Sequence, residues 1–172
     1  GSRYADYASL LLARLNVEKN ELLAAERELR AVLERQPDVV RGTLAARVDR
    51  LLGRERDPEL GALARVRLAR VLFALGRSDD ALATLDAAGT DDFAVEKLEL
   101  RGDILAARRD SAGAMKAYRE AVALAGARKG DTASRLLALK LQELELAEPA
   151  AAAGPAATDG AATAADTGAK AQ

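Results

Sequence analysis

A spacing between small residues and alanines recurs three times in this chain, and it restricts the fold more than any other feature. The paired positions lie twelve apart, at 13 and 25, at 69 and 81, and at 102 and 114. Fuller copies of the pattern read Leu12, Ala13, Ala25, Leu29 and Val32; Leu68, Ala69, Leu72, Ala81, Leu85 and Ala88; and Leu98, Gly102, Leu105, Ala114, Tyr118 and Ala121. Helices approach closely only where side chains are short, so each pair predicts a tightly packed helical hairpin.

This spacing is typical of the tetratricopeptide repeat (TPR), a helix–turn–helix unit of about 34 residues. The turns are predicted at Asn20, Gly76 and Asp110 in successive copies. The predicted fold is therefore all-α, a TPR-like α-solenoid of about three helical hairpins. A plain bundle of helical hairpins is the alternative interpretation. Repeats of this kind build a binding surface and no reaction centre, so we expect a protein that binds another protein and is not an enzyme.

The composition agrees with close-packed helices and argues against several functions. Of the 172 residues, 49% are hydrophobic but only 3% are aromatic, which favours helices over β-sheet. Lys and Arg number 26 against 27 Asp and Glu, so there is no basic excess of the kind that binds nucleic acid. The chain has no Cys and no His, which removes thiol chemistry and the commonest general base and metal ligand. We expect no cofactor, no metal and no nucleic-acid partner.

Hydrophobic periodicity and boundary residues predict seven main helices. They are expected over about Tyr4–Val17, Asn20–Arg35, Asp57–Leu75, Ser78–Gly89, from Asp91 or Asp92 to the turn before Asp110, from Asp110 or Ser111 to Gly126, and Asp131–Ala147. Residues 57–59 form a strong helix start, with an acidic cap, a proline in the first turn and a glutamate near the positive helix end. Ser78 is expected to cap the helix that starts there, and Asp110 or Ser111 to cap the second helix of the third hairpin.

The chain is divided by shifts in composition. Residues 1–2 resemble a cloning remnant, so a native membrane anchor or signal segment could have been removed before Arg3. The TPR-like helical domain is predicted to cover residues 3–147. Residues 148–172 are rich in alanine and contain no Leu, Ile, Val or aromatic residue, so we expect a disordered tail.

Two segments depart from a simple array of hairpins. Residues 37–58 form an inserted segment, and Thr43–Leu52 within it is predicted to be a short extra helix. The last helix, about Asp131–Ala147, is expected to cover the apolar face of the third hairpin, as capping helices of repeat arrays do.

The candidate protein-binding site is the concave face of the predicted solenoid, lined by the first helix of each hairpin. Offsets from the three small residues give its positions. They are Tyr7, Leu10, Arg14 and Val17; Leu63, Val66, Arg70 and Phe73; and Glu96, Glu99, Asp103 and Ala106. The first two sets are apolar with one arginine each, which predicts a site for a hydrophobic partner segment whose carboxylate or backbone carbonyl pairs with Arg14 and Arg70. Alternatively, a neighbouring helix, including the inserted one, fills this groove.

A second apolar surface is predicted on the first helix. It consists of Tyr4, Ala8, Leu11 and Leu15. In a repeat array this face meets a preceding repeat, and without one it would drive dimerisation. The alternative is that the face packs within the domain.

Several short motifs, taken in order, resemble one known family. They are Leu12-Ala13, Lys19-Asn20-Glu21-Leu22, Leu68-Ala69-Arg70-Val71, Ala81-Leu82-Ala83-Thr84-Leu85-Asp86, Arg101-Gly102-Asp103 and Gly113-Ala114. Over roughly residues 4 to 146 they resemble the soluble domain of YfgM, the TPR-containing ancillary subunit of the bacterial Sec translocon. The inserted segment is longer than is expected for that family, and the alanine-rich tail is extra.

The resemblance implies a bacterial inner-membrane protein with one N-terminal transmembrane helix and a periplasmic TPR domain. It implies association with the SecYEG translocon and with a PpiD-like periplasmic chaperone, and assistance to newly exported, unfolded proteins. One alternative is another TPR adaptor, which coordinates envelope assembly or cell division. A second is a helical hydrolase with paired carboxylates, because helical spacing places Glu96 and Glu99 on one face with Asp103 a turn further.

Overall fold

The structure is a computed structural model that describes residues 3–36, 57–87, 93–126 and 132–152. Over these ranges every regular element is an α-helix. The helices are α1 (Arg3–Glu18), α2 (Leu22–Arg35), α3 (Pro58–Ala74), α4 (Ser78–Asp86), α5 (Ala94–Ala107), α6 (Ser111–Gly126) and α7 (Thr132–Ala152).

The predicted helices agree with these bounds to within a few residues, with one clear difference at the end. Helix α7 continues to Ala152, beyond the predicted end at Ala147. Residues 150–152 are alanines, the residue type with the highest helix propensity, which favours this extension. Pro149 opposes it because proline lacks a backbone N–H to donate within the helix. The predicted inserted helix Thr43–Leu52 and the tail beyond Ala152 lie outside the described residues.

The helices pack in the order of a repeat array. Helices α1 and α2, α3 and α4, and α5 and α6 form three hairpins, while α2 packs on α3 and α7 packs on α6. Helix α5 makes smaller contacts with α3 and α4. The all-α, TPR-like solenoid predicted from the sequence is confirmed, and α7 covers the last hairpin as a capping helix does.

The small-residue pairs mark the closest approaches inside the hairpins. Both members of every pair are buried, from Ala13 and Ala25 in the first hairpin to Gly102 and Ala114 in the third. At Gly102 a Cβ atom would lie 2.6 Å from Tyr118 Cδ1, so the tyrosine ring occupies the space that a side chain would need. The glycine therefore allows α5 to pack closely against the tyrosine of α6.

All three hairpin turns have the same backbone geometry. Asn20, Gly76 and Arg109 adopt left-handed conformations with φ of 61°, 77° and 63°. The next N–H group closes each turn on a carbonyl of the last helical turn, as in the Schellman motif. These bonds run from Glu21 N to Asn16 O (2.7 Å), from Arg77 N to Leu72 O (2.9 Å) and from Asp110 N to Leu105 O (2.9 Å). The third turn was predicted at Asp110, and it is Arg109 that carries the left-handed conformation.

Side-chain caps occur at two of the three predicted positions. Asp57 Oδ1 accepts hydrogen bonds from the N–H groups of Glu59 (3.1 Å) and Leu60 (3.2 Å). Asp110 Oδ1 accepts one from Gly113 N (2.9 Å). Ser78 does not cap α4, because it is already the first helical residue and the preceding position makes no side-chain cap.

Two apolar clusters hold the helices together. The main cluster joins residues of α1 to α5 and includes the fully buried Leu29, Leu72 and Ile104. The second cluster lies between α6 and α7 and includes Tyr118 and Leu137. The apolar residues that predicted the helix faces therefore form the interior of the domain.

A buried polar network connects the first three helices. Asp6 is only 2% exposed, and it accepts hydrogen bonds from Arg35 Nε (2.5 Å) and Gln36 Nε2 (2.7 Å). Arg35 also donates to Ser9 Oγ (2.9 Å), and Gln36 Oε1 accepts from Asp57 N (3.0 Å). The network thus fixes the end of α2 against the start of α3 as well as against α1.

Candidate binding groove

A groove of about 430 Å³ lies between α1, α2 and the C-terminal half of α3. Its floor includes the buried residues Ala13, Leu29 and Val71. Val17 and Ala74, both exposed, lie at its edge. The volume falls in the range of about 300–1,000 Å³ that binding sites for small molecules usually have, which is enough for a short peptide segment. We call this site the α1–α3 groove.

The α1–α3 groove has a charged rim of three arginines and one glutamate. Arg14 Nε and Glu18 Oε1 form an ion pair at 2.9 Å, both on α1. Arg67 and Arg70 lie three positions apart on α3, and neither pairs with a carboxylate among the described residues. The excess charge of the rim is therefore positive and resides on α3.

Three of the predicted site residues come together in this groove. They are Arg14, Val17 and Arg70. Sequence reasoning missed Arg67 and Glu18. The sequence does indicate Arg67, since residues three apart on a helix share one face and Arg70 is a predicted site residue.

Other predicted site residues belong to the interior. Leu10 and Val66 are 4% and 5% exposed, so the prediction that they line an exposed face is wrong. Leu63 and Phe73 are partly buried and pack against the main cluster. The fixed offset from the small residue selects one helix face, but neighbouring helices cover much of that face here. Tyr7 is more than half exposed and is not among the groove residues.

The predicted acidic set on α5 is bound by the capping helix. Lys140 Nζ of α7 lies 3.0 Å from Glu99 Oε1 and 2.7 Å from Asp103 Oδ1, and the Tyr118 hydroxyl donates to Asp103 Oδ1 at 2.6 Å. Glu96 has a buried carboxylate oxygen, Oε2, with no hydrogen-bond partner among the described residues. Two of the three carboxylates of this set are therefore engaged by a lysine within the domain.

These contacts shift the pKa of two groups. Burial, followed by the hydrogen bond to Asp103, holds the pKa of the Tyr118 hydroxyl well above its usual value. Burial lowers the pKa of the Lys140 ammonium, but its hydrogen bonds to Asp103 and Glu99 raise that pKa by more, and the net shift is upward. Both groups therefore stay protonated over the physiological range of pH.

The second predicted surface, on α1, is exposed. The repeat spacing aligns Ala13 with Ala69, so each position of α1 has a counterpart on α3. The counterparts of Tyr4, Ala8, Leu11 and Leu15 are Leu60, Ala64, Arg67 and Val71. On α3, the three apolar counterparts are buried in the main cluster with residues of α2. On α1, Tyr4 is 85% exposed, and the rest of this set is also exposed.

None of the helices over the described ranges is long and apolar enough to cross a lipid bilayer. Within those ranges, no group of acidic side chains is arranged to hold a metal ion.

Comparison with known proteins identifies the family of the chain. The family of tetratricopeptide repeat-like domains matches residues 43–146. Three curated relatives are named ancillary SecYEG translocon subunit. They come from Escherichia coli K12 (34% identical over 119 residues), Haemophilus influenzae Rd (30% over 118 residues) and Neisseria gonorrhoeae (36% over 95 residues).

These alignments cover 69%, 69% and 55% of this chain. They cover 48%, 48% and 44% of the relatives, so the chain spans about half the length of the curated relatives that it matches. No solved structure matches the chain. Since the family match covers more than half of the chain and agrees with the observed hairpins, the chain belongs to the tetratricopeptide repeat-like domain family and is of the YfgM-like type.

Proposed function

We propose that this chain is the periplasmic interaction domain of a membrane-anchored accessory protein of the Sec translocon. In this proposal the domain catalyses no reaction. It links the SecYEG channel with a PpiD-like periplasmic chaperone and assists newly exported proteins as they leave the channel. The names of the three relatives support the association with the translocon, and the repeat architecture supports a role in binding other proteins.

The single observation that carries the binding role is the α1–α3 groove. It combines a buried apolar floor with a charged, accessible rim, which is the usual anatomy of a protein-binding site. The carboxylates that a helical hydrolase would need argue against such an enzyme. Glu99 and Asp103 are bound to Lys140, which favours a structural role for them over an acid–base role.

The proposal is tested by photo-crosslinking in the full-length protein, reconstituted in membranes with SecYEG and the chaperone. A photoreactive benzoylphenylalanine is placed at Val17 or Ala74, both at the edge of the groove, and at Leu23 as an exposed control on α2. We expect crosslinks to channel subunits or to the chaperone from the two groove positions and none from Leu23. Equal crosslinking from Leu23 would contradict the role of the groove. The same variants are also crosslinked in whole cell envelopes, where crosslinks only to cell-wall synthases would favour an adaptor of envelope assembly instead.

The proposal also includes a homodimer through the first helix. An uncharged stripe on α1 consists of Tyr4, Ala8, Leu11 and Leu15. Three of the four counterparts on α3 are packed in the main cluster. An exposed apolar stripe of this kind is costly in water unless something covers it. A second copy fits because the stripe carries no charge that would repel its own copy across a two-fold axis.

A further inference from the structure

The two arginines that α3 contributes to the groove have no carboxylate partner among the described residues, whereas several other arginines of this domain form ion pairs between two elements. Arg35 pairs with Asp6 (2.5 Å), Arg77 with Glu26 (2.8 Å) and Arg119 with Glu145 (2.8 Å), each across two elements. Arg67 and Arg70 have no such partner among the described residues. Arg67 is half-buried, whereas Arg70 is exposed.

The spacing of Arg67 and Arg70 on α3 places two positive charges next to each other. Side chains three apart on a helix are neighbours, with Cβ atoms about 5–6 Å apart, and like charges at this spacing repel each other. Among the described residues that line the groove, the one carboxylate is Glu18, which pairs with Arg14 on α1. An anion from outside the domain would relieve the repulsion and satisfy both guanidinium groups.

The apolar surface of the groove limits the kind of anion. Below the rim, Val17 and Ala74 are exposed and Leu22 is partly buried, so these three side chains present accessible apolar surface to the groove. A free inorganic anion would use the arginines and leave this apolar surface in contact with water. A peptide segment with apolar side chains next to an acidic one would use both.

We propose that the α1–α3 groove binds an extended peptide segment in which a glutamate or aspartate side chain lies next to apolar side chains. Arg67 and Arg70 bind the carboxylate through charge-assisted hydrogen bonds, and the apolar side chains of the segment cover Val17, Leu22 and Ala74. This inference rests on the proposed function, since it names the chemistry of the partner segment that the groove would bind.

The side-chain carboxylate is preferred over a free C-terminus because of where the groove residues lie. Sites for terminal carboxylates commonly use clusters of free backbone N–H groups. Ala13, Leu29 and Val71 all lie inside helices, where the backbone N–H groups are already bonded within the helix. The donors that remain are the guanidinium groups, whose long side chains can reach a carboxylate along the segment.

The test measures the affinity of fluorescein-labelled ten-residue peptides by fluorescence anisotropy. The reference peptide alternates leucine, valine and glutamate, with both ends blocked. Three others replace every glutamate with glutamine, replace every glutamate with lysine, or combine glutamine with a free C-terminal carboxylate. We expect only the reference peptide to bind with high affinity, and its binding to weaken as salt concentration rises because the contact is ionic.

Two protein variants locate the contact. Arg67→Glu combined with Arg70→Glu should weaken binding of the reference peptide at least about tenfold, which corresponds to about 1.4 kcal/mol, and should improve binding of the lysine peptide. The matched control combines Arg27→Glu with Arg135→Glu, two exposed arginines outside the groove, and should change affinity less than twofold. Circular dichroism checks folding. If the double variant unfolds, the single variant Arg70→Glu, at an exposed position, takes its place.

Equal binding of the glutamine peptide would overturn the inference while leaving the groove as a peptide site. Binding only of the peptide with a free C-terminus would assign the arginines to terminal carboxylates. No binding of any peptide would also overturn it, whereas crosslinks from Val17 and Ala74 to the channel would still support the proposed function. The two proposals can therefore fail separately.

Discussion

Tyr118 of α6 lies against the backbone of Gly102 on α5, so closely that a Cβ on the glycine would come within 2.6 Å of Tyr118 Cδ1 and 2.8 Å of Cζ. The tyrosine hydroxyl reaches past the glycine to Asp103 Oδ1 at 2.6 Å. One short residue thus lets an aromatic ring pack tightly and place its polar end on the neighbouring carboxylate. The pairing of a small residue with an aromatic one is the physical basis of the repeat in its third copy.

We expect Gly102→Ala to destabilise the domain. Alanine favours a helix over glycine by about 1 kcal/mol, but the overpacking against Tyr118 costs about 1–3 kcal/mol. The free energy of unfolding, measured with urea, should therefore fall. In the background of Tyr118→Leu, where the ring is absent, the same substitution should be less harmful. An equal loss in both backgrounds would mean that the ring is not the cause.

A glycine should stabilise the domain at the turn residue Arg109. It adopts φ of 63°, a left-handed conformation that glycine accepts without strain, and it is exposed. Arg109→Gly should raise the free energy of unfolding by about 0.5–1 kcal/mol, because the relief of strain exceeds the added freedom of the unfolded chain.

The matched comparison for this prediction is Gly76→Ala, at the same place in the second hairpin. A Cβ at Gly76 would meet nothing within 4 Å, so any loss there comes from backbone strain alone. We expect that variant to be less stable by about 1 kcal/mol. Both effects are measured by urea denaturation, and a neutral result at Gly76 would contradict the strain argument.

The buried carboxylate Asp6 should be important for stability. Asp6→Ala leaves Arg35 and Gln36 without their acceptor in a buried site, which typically costs about 3–5 kcal/mol when one member of a buried ion pair is removed. Asp6→Asn keeps an acceptor and should lose less. Thermal melting followed by circular dichroism measures both, and equal melting temperatures for wild type and Asp6→Ala would show that the network is dispensable.

The stability of the last hairpin and its cap should fall at alkaline pH. The folded-state pKa values of Tyr118 and Lys140 are raised, so their contributions are complete below the unfolded values of about 10 and 10.4. As pH rises through and beyond these values, the unfolded state loses protons first and unfolding becomes easier. Besides Asp103, the carboxylates of Glu99 and Glu143 oppose ionisation of the tyrosine.

The measurement compares urea midpoints between pH 8 and pH 11 for the wild type and two variants. Tyr118→Phe should start about 1 kcal/mol less stable, through the lost hydrogen bond, but should decline less over this range. Tyr7→Phe removes an exposed tyrosine and should follow the wild type. A wild-type domain with constant stability to pH 11 would contradict the role of these groups.

The exposed stripe of α1 predicts self-association. Analytical ultracentrifugation should find a dimer that forms with rising protein concentration. Combining Leu11→Glu with Leu15→Glu should abolish it because the charges oppose burial of the stripe. Leu23→Glu, on the exposed side of α2, should not. A wild-type protein that stays monomeric at the highest concentrations would contradict the dimer.

Most of the fold was predictable because its signals are local. The twelve-residue spacing predicted the buried pairs in all three hairpins, and the proline and acidic residues at 57–59 predicted the start of α3. The predicted cap at Ser78 was wrong, because the free N–H groups at a helix start can bond to several alternative partners and do not require a serine side chain. The left-handed Arg109 was missed because arginine, unlike glycine or asparagine, gives no sign of that conformation.

The candidate site was only partly predictable. Arg14, Val17 and Arg70 follow from counting along helices, and they lie in the α1–α3 groove. Leu10 and Val66 follow from the same counting and are buried. Helical periodicity tells which residues share a face, but it does not tell how much of that face a neighbouring helix covers.

The sequence by itself therefore determined the helices, their turns and the points where they touch, since these depend on residues a few positions apart. The tertiary structure decided which charges and apolar side chains remain available. Lys140, 37 positions from Asp103, pairs with two carboxylates of α5, while Arg67 and Arg70 meet no such partner among the described residues. Availability depends on contacts between helices that are distant in the chain, and the energy of a charge depends on what those contacts place beside it.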